Sequence, residues 1–91
     1  MSNIRNLEQI AKDAQERRDQ LAREIIIEDE CVVFECAGRM FIEKHRIQTP
    51  EEYLGWIYWL AAKPWMTPAR LKHFMDLATT ISGISIKMPI A

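Results

Sequence analysis

The residues that could carry metal or acid–base chemistry are few and widely spaced along the chain. His45 and His73 are the only histidines, and Cys31 and Cys36 are the only cysteines. None of them stands in a CxxC, HxxxH or HExxH spacing, the patterns that bring metal ligands together on one turn or one helix face. We therefore expect no metal site and no cofactor.

The two cysteines are also badly spaced for a disulfide. Cys31 and Cys36 lie five residues apart, and on one helix this spacing would separate them by about 140°. Free thiols are typical of a reducing cytoplasm, which is the compartment that we predict. The first 24 residues are charged throughout and lack the apolar centre of a signal peptide.

Catalytic motifs built on serine or glycine are missing as well. No serine stands in a G-x-S-x-G turn, and the three glycines are too far apart to form a phosphate-binding loop. We therefore predict that the chain is not an enzyme. Its 91 residues suffice for one domain, 1–91, and are too few for two.

The charge balance bears on the class of partner. The chain has 12 Lys+Arg and 13 Asp+Glu, a net charge of -1. Nucleic-acid binders normally carry a clear basic excess, because they neutralise phosphates. Direct binding to nucleic acid is therefore disfavoured. No apolar run approaches the roughly 20 residues of a membrane-spanning helix, so we predict no membrane contact either.

The N-terminal part is predicted to be helical. No glycine or proline occurs from Met1 to Ala37, and a narrow apolar stripe recurs at helical steps. This pattern predicts an amphipathic helix from Asn3 to about Glu24. Residues 1–24 could project as a helical arm, and self-association could bury its apolar seam, formed by Leu7, Ile10, Ala14 and Leu21.

Residues 25–44 permit two interpretations. Ile26, Val33 and Met40 recur every seven residues, which favours a helix with a broad apolar face. The β-branched residues of the same stretch could instead form a short hairpin around Glu28–Glu30. No Asn-Gly or Asp-Gly turn supports that hairpin, and we favour the helix.

Two further helices are predicted over Pro50–Ala62 and Pro68–Ser82. Thr49 and Thr67 can cap them, and each threonine is followed by a proline at the first helical position. The sequence therefore predicts an all-α fold of three or four helices. A long N-terminal helical region is followed by a two-helix hairpin whose turn is bounded by prolines.

The aromatic residues concentrate around this turn. Six of the eight aromatic side chains fall between Tyr53 and Phe74, and Tyr53, Ile57 and Leu60 share one face of their helix. A helix that is apolar on nearly every side is central in a core or covered by a partner. Tryptophan, methionine and arginine are enriched where proteins bind one another. We predict seven partner-binding residues: Trp56, Trp59, Lys63, Trp65, Met66, Pro68 and Arg70.

Two peptide bonds of this turn precede a proline, Lys63–Pro64 and Thr67–Pro68. Such bonds exchange between cis and trans on the order of tens of seconds or more. A host proline isomerase is therefore a further candidate partner.

The same two helices also fit a helix-turn-helix DNA-binding motif. The helix that starts at Pro68 presents Arg70, Lys72 and His73 near its N-terminus, where such proteins contact bases. Against this, only four Lys/Arg follow residue 47, and the turn lacks a glycine. A DNA-binding protein is kept as the alternative function.

The stretch from Tyr53 through Lys63-Pro-Trp-Met-Thr-Pro to Phe74 resembles the small early proteins of lambdoid phages, among them the anti-RecBCD proteins. The likeness is one of overall character over most of the chain, and it assigns no role to any single residue. It implies a non-enzymatic inhibitor in the host cytoplasm that docks on the RecBCD helicase–nuclease and modifies it. The sequence thus predicts a small protein-binding modulator with a host protein complex as its partner.

Overall fold

The middle of the chain forms a small antiparallel sheet, with helices before and after it. A computed structural model describes residues 7–86. Within that range the helices α1, α2 and α3 span Leu7–Glu24, Pro50–Ala61 and Pro68–Ser82. The strands β1, β2 and β3 span Ile25–Glu28, Cys31–Phe34 and Met40–Glu43.

The all-α prediction is wrong, because the stretch predicted as a second helix is the sheet, and the fold is mixed α and β. The strands pair antiparallel in the order β1-β2-β3. Ile26 and Val33, which lie seven residues apart, are cross-strand partners. The first seven-residue step thus belongs to a hairpin, the interpretation that we did not favour, whereas Met40 pairs with Phe34 and not with Val33.

The turn between β1 and β2 explains why the hairpin was missed. Asp29 and Glu30 have φ angles of 52° and 60°, and positive φ at both central residues is the geometry of a type I′ hairpin turn. Aspartate tolerates this conformation, whereas glutamate adopts it at a cost. The turn thus forms without the glycine that usually identifies it in a sequence.

The two proline-headed helices are confirmed. Thr49 Oγ1 accepts a hydrogen bond from the amide of Glu52 at 3.1 Å, and Thr67 Oγ1 accepts one from the amide of Arg70 at 3.1 Å. Each bond satisfies a backbone donor that the first helical turn leaves free. α2 ends one residue before the predicted Ala62, and α3 ends at Ser82, as predicted.

The core lies between one face of the sheet and the helices α2 and α3. Tyr53, Ile57 and Leu60, which the sequence places on one face, are the buried residues of α2. The ring of Phe74 from α3 lies 6.1 Å from that of Tyr53 and 5.7 Å from that of Phe34 on β2. The Tyr53 hydroxyl donates to the carbonyl of Met75 at 2.6 Å, so the largest buried polar group is satisfied.

α1 is the least covered element. None of its described residues is buried, and Leu7 and Ile10 are 83% and 50% exposed. Its C-terminal part lies beside α3: Glu24 pairs with Arg70, and the carbonyl of Ile25, the next residue, lies 3.0 Å from Nε2 of His73. The predicted start at Asn3 lies outside the described residues, and the single domain over 1–91 stays a prediction.

Candidate protein-binding groove

A groove of about 890 Å³ separates β3 from one flank of α2. Met40, Phe41 and Ile42 of β3 form one wall, and Gly55, Trp56 and Trp59 of α2 form the other. Its walls are mostly apolar. Apolar walls with a few polar groups at the margin are typical of binding sites.

The position of the two tryptophans follows from the helical repeat. With Tyr53, Ile57 and Leu60 turned into the core, residues 56 and 59 fall on the adjacent flank of α2. The Trp56 indole N–H donates to the carbonyl of Arg46 at 3.1 Å. The rings of Trp56 and Trp59 meet edge to face, with centroids 5.7 Å apart, so one tryptophan orients the other.

Trp59 is the more accessible of the two. Its side chain is 41% exposed, and the Lys63 ammonium lies 3.9 Å from the ring centroid. This cation–π contact holds Lys63 along the same flank of α2. Three of the seven predicted contact residues, Trp56, Trp59 and Lys63, therefore lie together beside the groove.

β3 is an edge strand, and its free edge borders the groove. The amide of Lys44 donates to the carbonyl of Glu30 at 3.0 Å. In an antiparallel pair every second residue is hydrogen-bonded to the neighbouring strand, so this bond identifies which residues of β3 bond to β2. In that alternation Met40 and Ile42 bond to β2, whereas the N–H and C=O of Phe41 point away from it. The Phe41 side chain is 58% exposed, so the strand offers both apolar surface and backbone hydrogen-bonding groups.

The charged groups in and beside the groove include two cations, Arg46 and Lys63, and the carboxylate of Glu52. Arg46 lines the groove, and within residues 7–86 neither Arg46 nor Lys63 takes part in an ion pair. Glu52 accepts hydrogen bonds from the Gln48 amide at 3.2 Å and from the Thr49 hydroxyl. His45 lies 3.3 Å from Glu43. The groove margin thus presents two cations without a carboxylate partner.

The other four predicted contact residues lie away from the groove. Trp65 is half-buried, and its ring centroid lies 5.7 Å from that of Phe34. Arg70 donates to the carbonyl of Trp65 and pairs with Glu24. Met66 packs against the core, and Pro68 is exposed at the start of α3. Trp65, Met66 and Arg70 therefore hold elements together in the folded chain.

The residues proposed to contact DNA in the helix-turn-helix alternative are also mostly engaged in contacts within the fold. Of its three candidate base contacts, Arg70 is paired with Glu24, and His73 lies against the backbone of Ile25. Only Lys72 is exposed, 3.6 Å from Asp76. Two of the three side chains are thus engaged inside the fold.

Phe41 and Arg46 are among the groove residues that the sequence did not identify as contacts. Both fall in or directly after the stretch that was predicted as a helix, where their position on a sheet edge could not be foreseen. The sequence Met40–Glu43 has three consecutive apolar residues followed by glutamate, so it carries no alternation that would have indicated an edge strand.

The remaining chemistry of the described residues is sparse. No group of three His, Cys, Asp or Glu lies close enough within residues 7–86 to hold a metal ion. Desolvation raises the pKa of both Cys31 and Cys36, and nearby carboxylates raise that of Cys31 further. Both thiols are free, and a raised pKa disfavours the reactive thiolate.

The structure also bears on the predicted proline isomerase partner and on membrane contact. All peptide bonds of the described residues are trans, including Lys63–Pro64 and Thr67–Pro68; a role for a proline isomerase stays a prediction. No helix within residues 7–86 has the length and apolar character to cross a membrane.

The comparisons with known proteins return no relative. No family model, no curated protein and no solved structure matches the chain. What the chain does is therefore argued from the groove itself.

Proposed function

We propose that this chain is a small, non-enzymatic protein-binding modulator that binds its partner through the groove between β3 and α2. Two exposed aromatic side chains on opposite walls, Phe41 and Trp59, carry the proposal. Leaving such rings in water forgoes the free energy of burying them, and a partner would recover it. Tryptophan is also among the residues that most often dominate binding energy.

The charges at the margin favour a partner with acidic groups around an apolar centre. Arg46 and Lys63 would each gain a carboxylate from such a surface, and Lys63 would keep its contact with the Trp59 ring. Two cations are too few to drive binding to a phosphate backbone. The proposal therefore concerns a protein rather than a nucleic acid.

The host RecBCD complex is the first partner to test. The stretch Tyr53–Phe74 resembles the anti-RecBCD proteins, which act by docking on that complex. In this proposal the chain works in the host cytoplasm and changes what RecBCD does without chemistry of its own. A host proline isomerase is the second candidate, because the Lys63–Pro64 bond lies directly after α2.

The test is a titration of purified RecBCD with the chain, followed by binding and by nuclease activity. Trp59→Ala removes the exposed ring from the groove wall, and we expect binding to weaken about tenfold or more, as for other central aromatic contacts. Tyr58→Ala is the matched control, because Tyr58 is 79% exposed, lies about 100° round α2 from Trp59 and does not line the groove. It should leave binding unchanged.

Equal effects of Trp59→Ala and Tyr58→Ala would contradict the groove as the docking site.

Measuring affinity at several salt concentrations distinguishes protein binding from the alternative function, DNA binding. An aromatic protein contact should weaken little between about 50 and 200 mM salt, whereas DNA binding through six phosphates would weaken on the order of a thousandfold. Steep loss of affinity with salt would favour the helix-turn-helix interpretation.

A further inference from the structure

We propose that the groove also binds a second copy of this chain: the two β3 edges pair antiparallel about a two-fold axis at Phe41 and form one continuous six-stranded sheet. The inference rests on the proposed function in one respect, that the groove binds protein. Three observations support it: an open edge, a self-complementary strand and an unexplained glycine.

The two edge strands of the sheet, β1 and β3, differ in how far the rest of the chain covers them. On β1 the carbonyl of Ile25 points outward and lies 3.0 Å from Nε2 of His73 on α3, so that edge is covered in part. On β3 the N–H and C=O of Phe41 point away from β2, and Phe41 is one of the residues that line the groove. Exposed edges readily pair with another chain unless something blocks them, and β3 carries neither a proline nor an inward-pointing lysine.

The sequence of β3 is complementary to itself in the antiparallel direction. With Phe41 on the axis, the amide N–H of each Phe41 donates to the Phe41 carbonyl of the other copy. Met40 then faces Ile42 of the second copy. Arg39, which directly precedes β3 with a φ of 62°, comes towards Glu43 of the second copy and would exchange its bonds to Glu28 and Glu35 for that contact. Apolar pairs and opposite charges placed directly across two strands are stabilising. A parallel arrangement would put Arg39 opposite Arg39.

Gly55 gives the third observation. It lies inside α2 on the groove wall, and a Cβ atom built there would meet nothing within 4 Å. A glycine inside a helix is destabilising relative to alanine, and the single chain offers no contact that requires it. A two-fold axis through Phe41 would turn the α2 flanks of the two copies towards each other, and a glycine permits their close approach.

The first experiment measures molar mass by light scattering across a wide concentration range. We expect the wild type to form dimers. Phe41→Pro removes the outward N–H and should weaken the dimer about tenfold or more. Ile27→Pro is the matched control, because residue 27 occupies the corresponding outward-pointing position on β1, at the opposite edge of the sheet. A wild type that stays monomeric, or equal effects of the two prolines, would overturn the proposal.

A charge exchange tests the register. Glu43→Lys places two like-charged pairs across the axis, and so does Arg39→Glu; each variant alone should be monomeric. Mixed together they regain two opposite-charge pairs, and we expect a heterodimer. Circular dichroism must show both variants folded, since Arg39 also binds Glu28 and Glu35. A mixture that stays as monomeric as its components would refute the register.

A cross-link covers the case in which a charge variant does not fold. Phe41→Cys puts two thiols on the axis at a separation that a disulfide can span, so mild oxidation should give a covalent dimer. Tyr58→Cys, with the same native cysteines, should not. Equal cross-linking of both would place the contact elsewhere.

The two proposals can fail separately. A monomeric wild type whose binding to RecBCD depends on Trp59 would keep the proposed function and end this inference. A dimer that responds to the proline and charge variants as expected, but binds no host protein, would support this inference and contradict the proposed function.

Discussion

At the scale of single residues, burial separates structural aromatics from candidate contacts. Trp65 packs on Phe34 and belongs to the fold, whereas Trp59 is 41% exposed beside the groove. Residue type and spacing could not divide the tryptophans between these roles, because the sheet that receives Trp65 was itself predicted as a helix. Trp56, Trp59 and Lys63 were grouped correctly on one flank of α2, since that grouping needs only the helical repeat.

Gly55→Ala gives a prediction at this scale. Because the added Cβ meets nothing within 4 Å, the free energy of unfolding of the monomer should rise by about 0.5–1 kcal/mol. Urea denaturation at low protein concentration measures this rise. The same variant should form dimers less readily than the wild type. A loss of stability in the diluted protein would show that the position is already crowded in the single chain.

At the scale of elements, the helices with end signals were predictable and the sheet was not. Thr49 and Thr67 form the expected N-cap bonds, and such local bonds can be deduced from neighbouring residues alone. The strands have four residues each, too few for an alternating pattern to stand out. Their stability comes from cross-strand pairing and from burial under α2 and α3, neither of which a local pattern reports.

The β1–β2 turn carries the prediction for elements. Glu30 has a φ of 60°, where a side chain is strained and glycine is not. We expect Glu30→Gly to raise the free energy of unfolding by about 0.5–1 kcal/mol. Glu51→Gly, in the first turn of α2 and outside the left-handed region, should lower it instead. Chemical denaturation of the two variants decides, and a destabilised Glu30→Gly protein would contradict the expectation.

At the scale of the whole molecule, α1 extends the fold beyond a compact body. The radius of gyration is 15.4 Å, above the about 12 Å of a compact domain of this length. The sequence predicted α1 from its amphipathic repeat, yet no described residue of it is buried. Its attachment through Arg70 was not foreseen, because the partner Glu24 is 46 residues away along the chain.

Arg70→Ala tests this attachment. The side chain pairs with the half-buried Glu24 and donates to the Trp65 carbonyl, so its removal leaves two acceptors without a donor. We expect a loss of about 1–3 kcal/mol in the free energy of unfolding, allowing for partial exposure of the pair. Hydrogen exchange of the last turn of α1 should also accelerate.

Lys72→Ala is the control on the same helix. Its exposed pair with Asp76 should contribute within about 0.5 kcal/mol. Similar losses for Arg70→Ala and Lys72→Ala would show that the contact between α1 and α3 contributes little.

α1 passes into β1 without a loop, since Glu24 is its last residue and Ile25 the first of the strand. No loop separates the helix from the strand, so a change in the direction of β1 would also change the direction of α1. An 18-residue helix is roughly 27 Å long, so a tilt of about 10° at the junction moves its far end by about 5 Å. A small rearrangement of the strands, such as one caused by an occupant of the groove, would be amplified into a displacement large enough to be followed by a distance probe near Leu7.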